Sequence, residues 1–296
     1  MRFSVVIPVY NKSAYIGETL QSVLNQSFDD FEIVVIDDES SDNSVEVIEA
    51  YHDNRIQLYK KKNGGVSAAR NYGILKSNGE IICFLDADDI WKPDYLMRLS
   101  WLIEQYPEAG FFCGAYDIFY KEKNNIVKEK NLSFNESEDE IEIDYIKMSV
   151  LMFGSIALTS AVAIRKSVLE RMDLWFDERF CIGEDNDLWT RVSLITKAVY
   201  NKKPLMLYRS ASIDGLISSN YEYDKSVKYS NWYKLSGNKY LHKYASQMAY
   251  GSARTCYKKG KYYDTLLFLG EIRGMHYIFR RIVLWLLALF KKQLYK

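Results

Sequence analysis

The chain has 296 residues, 48% of them apolar and 26% charged, and its 39 basic and 39 acidic residues balance to a formal net charge of zero. That is enough for one large or two modest domains with a proper core, and with no global field nothing argues for nucleic acid as a partner. The cysteines Cys83, Cys113, Cys181 and Cys256 are too widely spaced for a CxxC pair or a zinc pattern, so a reduced, cytosolic setting is expected.

Ser4-Val5-Val6-Ile7-Pro8-Val9 is too short for a signal peptide and lacks a cleavage site. The β-branched run over 3–9 predicts a central first strand, with Pro8 expected to end its ladder because proline cannot donate to one. Asn11 or Ser13 can cap the helix that follows, since Tyr15, Ile16, Thr19, Leu20, Val23 and Leu24 recur at helical spacing. A second strand is expected over 31–36, ending in Asp37-Asp38-Glu39-Ser40, then a short helix bearing Val45, Val47 and Ile48, then a third strand over 56–59. Strand and helix alternating in this way imply a parallel, doubly wound α/β sheet with right-handed crossovers. Next, Asn63-Gly64-Gly65 opens a helix of small residues through Arg70, a pattern that lets backbone and helix N-terminus approach a ligand closely.

The following segment, Ile81-Ile82-Cys83-Phe84-Leu85-Asp86-Ala87-Asp88-Asp89, runs apolar residues into three carboxylates. A buried strand that delivers acids at its carboxyl end delivers them where an open α/β sheet keeps its ligand. On a strand Asp86 and Asp88, two apart, would point the same way. Neighbouring carboxylates repel unless a cation lies between them, and hard oxygen ligands suit Mg²⁺ or Mn²⁺. Taken alone, the segment reads equally well as an Asp-rich turn capping the helix after Pro93.

Beyond it the pattern predicts a helix with Leu96, Leu99 and Ile103 on one face, stopped by Pro107, and a strand over 109–120. Charged residues 121–143 read as a surface hairpin or loop, 156–164 as a strand, and 198–208 as a strand pair. Gly183-Glu184-Asp185-Asn186-Asp187 precedes Leu188, Trp189, Val192 and Ile195 and reads as a helix start, whose first turn favours acids through the helix dipole. From about Ser210 a loop gives way to Tyr-rich and Lys-rich helical sequence. It closes on Arg280-Arg281-Ile282-Val283-Leu284-Trp285-Leu286-Leu287-Ala288-Leu289-Phe290-Lys291-Lys292. This block is too short to span a bilayer. Such a helix lies in the headgroup region of a membrane, or packs on the body of the protein or on a second copy in a homodimer.

Several of these segments match one family in order and spacing. They are Val5-Val6-Ile7-Pro8-Val9-Tyr10-Asn11, Asp37-Asp38-Glu39-Ser40, Asn63-Gly64-Gly65-Val66-Ser67-Ala68-Ala69-Arg70-Asn71, Asp86-Ala87-Asp88 and Glu184-Asp185. Over about residues 1–210 the chain resembles the family 2 glycosyltransferases, inverting enzymes with the GT-A fold. The resemblance implies a Rossmann-like, mostly parallel sheet flanked by helices, followed by a helical C-terminal extension. The expected organisation is a nucleotide-sugar half over 1–115, an acceptor half over 116–215, and the extension over 216–296. It further implies that Pro8 and Tyr10 flank the nucleotide base, that Asp38 hydrogen-bonds the uracil of a UDP-sugar, and that Arg70 lies near the nucleotide or its phosphates. Asp86 would contact ribose or sugar, Asp88 would ligate Mn²⁺ or Mg²⁺ with Asp86 beside it, and Asp185 would be the general base. By analogy the acceptor is a bacterial surface glycan, free or lipid-linked, and the enzyme works in the cytoplasm at the inner face of the cell membrane.

Two positions depart from the family pattern. Glu39 stands where the family often has glycine, and Tyr208-Arg209-Ser210-Ala211-Ser212 lacks the histidine many relatives place there. The absence of Gln-x-x-Arg-Trp and of spanning helices argues for one sugar added per encounter rather than processive synthesis. A Rossmann dehydrogenase needs Gly-x-Gly-x-x-Gly after the first strand, and residues 8–17 offer only Gly17. A nucleotidyltransferase needs a glycine-rich basic loop there, which Asn11-Lys12-Ser13 does not supply. A catalytically inactive nucleotide-sugar-binding or membrane-scaffolding protein is the remaining alternative.

Overall fold

The computed structural model describes residues 1–120, 125–128, 139–210, 222–273 and 277–294. Two compact units emerge. The first comprises Met1–Ile143, Ala157–Glu178 and Arg191–Leu216, the second Asp144–Ile156, Arg179–Thr190 and Ile217–Lys296.

In the first unit β1 (Phe3–Val9), α1 (Ile16–Leu24), β2 (Phe31–Asp37), α2 (Ser44–Glu49), β3 (Ile56–Lys60), α3 (Gly65–Lys76) and β4 (Ile81–Phe84) alternate as the periodicity implies. The short β5 (Ile90–Trp91), α4 (Tyr95–Gln105), β6 (Ala109–Gly114), β7 (Asp117–Tyr120), β8 (Asn125–Lys128) and β9 (Glu140–Ile143) follow. The unit is completed by β10 (Val162–Arg165), α6 (Lys166–Leu169), β11 (Lys197–Asn201) and β12 (Met206–Ser210); α5 (Tyr145–Leu151) belongs to the second unit. Eight strands form the main sheet in the order β3-β2-β1-β4-β10-β6-β11-β9, and β5-β12-β7-β8 form a second sheet. The β3-β2-β1-β4 half is parallel, while β10 runs antiparallel to β4 and β6, and β9 antiparallel to β11. The main sheet is therefore mostly parallel, with helices over it. β1 and β2 are buried almost throughout, as their unbroken apolar runs require.

Several local expectations are corrected. Pro8 does not end the ladder: β1 pairs with β2 through Pro8↔Ile36 and Val9↔Asp37. Toward β4 the pairing stops at Val6↔Phe84, and Pro8, two residues on from Val6, faces that side, so its missing N–H removes no bond. Neither Asn11 nor Ser13 caps α1; its N-cap position is Tyr15, and Asn11, at φ 53°, instead accepts the N–H groups of Ser41 and Asp42. The apolar run 109–120 is two strands in different sheets, as is the pair 198–208, and 156–164 yields a 3-10 turn (Thr159–Ala161) before β10. Most of the surface hairpin or loop expected over 121–143 lies outside the described residues; of its described parts, 125–128 forms β8 against β7, and 140–143 forms β9 at the edge of the main sheet. Most of the loop after Ser210 also lies outside the described residues.

The second unit contains α5, the start of α7 (Glu184–Ser193), a 3-10 helix (Tyr229–Lys234), α8 (Leu241–Lys258), α9 (Tyr262–Gly270) and α10 (Ile278–Leu294). Its core is aromatic: Trp232, Tyr229 and Tyr244 are fully buried, and Trp232 packs against both tyrosines. No helix among the described residues is long and apolar enough to cross a membrane.

Candidate active site

The carboxyl ends of β1, β2 and β4 carry most of the candidate residues of the first unit. β4 ends at Phe84, so Asp86, Asp88 and Asp89 lie in the turn beyond it rather than on the strand. The turn is clamped from three sides. The buried Thr19 hydroxyl of α1 faces the carbonyls of Ala87 (3.0 Å) and Asp89 (2.9 Å). Ser160 Oγ accepts from the Asp86 N–H (3.0 Å) and donates to the Asp89 carboxylate. From β12, Arg209 donates its backbone N–H to Asp89 Oδ1 (3.0 Å) and its Nε–H to the Asp88 carbonyl (2.8 Å). The Arg209 guanidinium also pairs with Glu18 and lies over the rings of Tyr15 and Phe119.

With the backbone fixed, the three acids separate into two kinds. Asp89 is buried, and burial, reinforced by the charges of Asp86 and Asp88, pushes its carboxyl well above the usual range. Asp86 and Asp88 remain about one-third exposed and each holds a basic side chain. Arg70 Nη2 donates to Asp86 Oδ1 (2.8 Å), and the Lys12 ammonium contacts Asp88 Oδ2.

Asp38 is buried at the end of β2, and its carboxylate accepts from Lys61 Nζ (2.6 Å) and from the N–H groups of Gly64 (3.0 Å) and Gly65 (2.8 Å). It thus anchors the start of α3, where Gly65 takes φ +83°, a conformation that favours glycine. Glu39 also sits left-handed, at φ 66°, so the backbone keeps a glycine-like shape although the residue is not glycine. Its carboxylate accepts the Asn63 N–H (3.1 Å), which offsets part of the roughly 1–2 kcal/mol such a conformation costs. Pro8 is half-buried and Tyr10 exposed at the end of β1. Arg70, on α3, is buried and lies over the Phe176 ring.

Asp185 belongs to the second unit. It is half-buried in the first turn of α7, where its carboxylate accepts the Asn186 N–H (2.7 Å). Gly183, at φ +77°, turns the chain into the helix, and Asp187 accepts from the Trp232 indole N–H (2.8 Å). The acids there do occupy a helix N-terminus, as the dipole argument expects.

Among the described residues no group of three or more His, Cys, Asp or Glu side chains is placed to hold a metal ion. A Mg²⁺-type cation needs only one or two carboxylates when substrate phosphates and water complete its shell. The donor chemistry here fits that case. Two carboxylates, each about one-third exposed, stand in one turn, their charges press on a third, and a lysine ammonium sits beside Asp88.

Residues 4–172 match glycosyl transferase family 2. The chain belongs to this family. The enzyme is 27% identical to an uncharacterized glycosyltransferase of Nostoc sp. (strain PCC 7120), over 96% of this chain and 89% of that one. It is 32% identical to the amylovoran biosynthesis glycosyltransferase AmsB of Erwinia amylovora, over 77% and 75% of the two chains. Two other relatives are longer proteins, of which this chain spans 26% and 30%, and a third is matched over 38% of both chains. The fold is similar to the crystal structure of S. aureus TarS 1–349 in complex with UDP-GlcNAc, with a TM-score of 0.70 and 19% identity, over 92% of this chain and 82% of that one. This is the GT-A architecture, and the enzyme is a glycosyltransferase.

Four side chains that hold this site were not singled out from the sequence as site residues: Lys12, Thr19, Ser160 and Arg209. Arg209 carries the one usable signal, since it stands at the end of β12 where the family pattern is broken. Thr19 read only as a member of a helical stripe, and Ser160 lay in a segment expected to be a strand.

Proposed function

We propose that this glycosyltransferase moves one sugar from a nucleotide-diphosphate sugar, chiefly a UDP-sugar, to a hydroxyl of a glycan or lipid-linked acceptor, with inversion by single displacement. The turn at 86–89 carries this reading: two partly exposed carboxylates on a clamped backbone, each already compensated by a cation. Asp88, with Asp86 beside it, would hold Mn²⁺ or Mg²⁺. That cation supplies a Lewis acid for the charge that builds on the departing diphosphate. Pro8 and Tyr10 flank the base, and Asp38 offers its remaining acceptor capacity to the uracil imide. Arg70 lies near the phosphates, and Asp86 contacts ribose or sugar. Asp185 takes the proton of the attacking hydroxyl, a role worth about 10²–10⁴ in rate.

Residues 1–115 serve the donor, 116–215 the acceptor, and 216–296 form the helical extension. The TarS complex with UDP-GlcNAc supports a UDP-sugar donor, and the name of AmsB supports a polysaccharide acceptor. The exposed apolar residues of α10, with no acid on that helix, support peripheral contact with the inner face of the cell membrane.

A panel of nucleotide-diphosphate sugars, assayed with Mn²⁺ and again with a chelator, tests this. The expected result is metal-dependent transfer with an inverted anomeric centre, read by NMR of the product. Donor that binds but is never transferred or hydrolysed would make the protein a binding module instead.

A further inference from the structure

Within the second unit a groove of about 470 Å³ runs between α8 and α10. Val283, Leu284 and Leu287 of α10 give it an apolar wall, and Tyr250 and Tyr257 of α8 face them. Arg254, Lys258 and Arg280 also line it. None of these three cations makes an ion pair among the described residues, whereas Lys225 and Lys261 of the same unit both reach Glu222. Arg254 and Lys258 lie on the same face of α8 and are exposed. On α10 Phe279, Val283, Leu286 and Phe290 are each more than half exposed, and the helix carries basic residues but no acid.

An apolar trough bordered by uncompensated positive charge matches a ligand with a hydrocarbon chain and an anionic head. A sugar nucleotide fits poorly, because the lining holds no carboxylate or carboxamide to read sugar or base. A second copy of the chain fits poorly too. In a two-fold contact the groove would meet its own cations with no acid to pair them. We propose that this groove binds an anionic phospholipid of the membrane surface. The acyl chain lies along Val283, Leu284 and Leu287, and the phosphate sits among Arg254, Lys258 and Arg280. The proposal rests on the membrane contact put forward above and names the lipid chemistry that contact selects.

The test compares the full chain with its R254Q/K258Q variant by co-sedimentation with phosphatidylcholine vesicles, with and without phosphatidylglycerol. The wild type is expected to bind only the phosphatidylglycerol vesicles. The variant should lose roughly 30-fold in affinity, about 5-fold per charge near an anionic leaflet, with unchanged thermal unfolding. In calorimetry, short-chain dihexanoyl phosphatidylglycerol below its micelle concentration should bind the wild type, and inorganic phosphate should not. If the variant binds the anionic vesicles as well as the wild type does, the groove is not the site, although the membrane contact stands. If the wild type binds neither vesicle, the membrane contact itself fails and the groove proposal with it. A wild-type dimer in sedimentation that R254Q/K258Q abolishes would assign the face to a second copy and overturn the proposal.

Discussion

The acid turn of the first unit and the α8–α10 groove of the second treat positive charge in opposite ways. Around the turn at 86–89 and its neighbours, Lys12, Lys61, Arg70, Lys92 and Arg209 each meet a carboxylate. Along α8 and α10, Arg254, Lys258 and Arg280 meet none among the described residues. Paired cations at a strand end offset the repulsion between neighbouring carboxylates. Cations left bare beside apolar side chains are kept instead for a partner that brings its own negative charge.

Removing an acid from the first unit breaks that contrast most severely. Asp88→Ala leaves Lys12 without its carboxylate, and metal-dependent nucleotide binding should disappear in calorimetry. Transfer should fall by about 10³–10⁴, the several kcal/mol a Lewis acid supplies. Unchanged nucleotide affinity in the presence of Mn²⁺ would end the assignment. Asp185→Asn, in the other unit, should cut transfer by about 10²–10⁴ while nucleotide affinity survives, because the base acts on the acceptor. Equal loss of donor binding would count against the role.

Lys12→Met sharpens the comparison by making a first-unit site resemble the second unit in reverse, with an acid stripped of its cation. Mn²⁺ without nucleotide should then bind about 2–5-fold more tightly, the worth of a half-exposed ion pair, and electron paramagnetic resonance of free Mn²⁺ would read it. No change would mean that the ammonium does not compete for the site.

The smallest effect concerns Glu271, a buried acid of the second unit whose carboxylate accepts the Ser230 N–H. Burial raises its carboxyl above the usual glutamate value, partly opposed by the Tyr223 hydroxyl. The folded chain therefore holds a proton that the unfolded chain has already released. That contribution to stability is full below the ordinary glutamate range and is lost as pH rises through the raised value. Glu271→Gln should flatten this slope, shifting the melting temperature at pH 7 relative to pH 4 on the order of 1 °C. A parallel shift at both values would show that the charge is not the cause.

The pattern of apolar runs was enough to read β1, β2, α3 and β4, because a buried parallel strand and a helix of small residues each leave a local signature. Strand direction leaves none. Nothing in Val162–Arg165 announces that β10 runs antiparallel between β4 and β6, since that depends on pairing with segments roughly fifty to eighty residues away. The break between β6 and β7 was hidden for a related reason: apolar and aromatic residues continue through Ala115 and Tyr116, while the chain changes sheets. The acids of the site were legible as a motif, but the clamp that aims them was not. Thr19, Ser160 and Arg209 act through two hydroxyls, a backbone N–H and a guanidinium brought together only by the fold.

The carboxylate of Asp38 closes the first turn of α3 as well as standing at the end of β2. Replacing Asp38 would therefore loosen the start of a helix as well, so weaker donor binding in such a variant would not by itself measure base recognition.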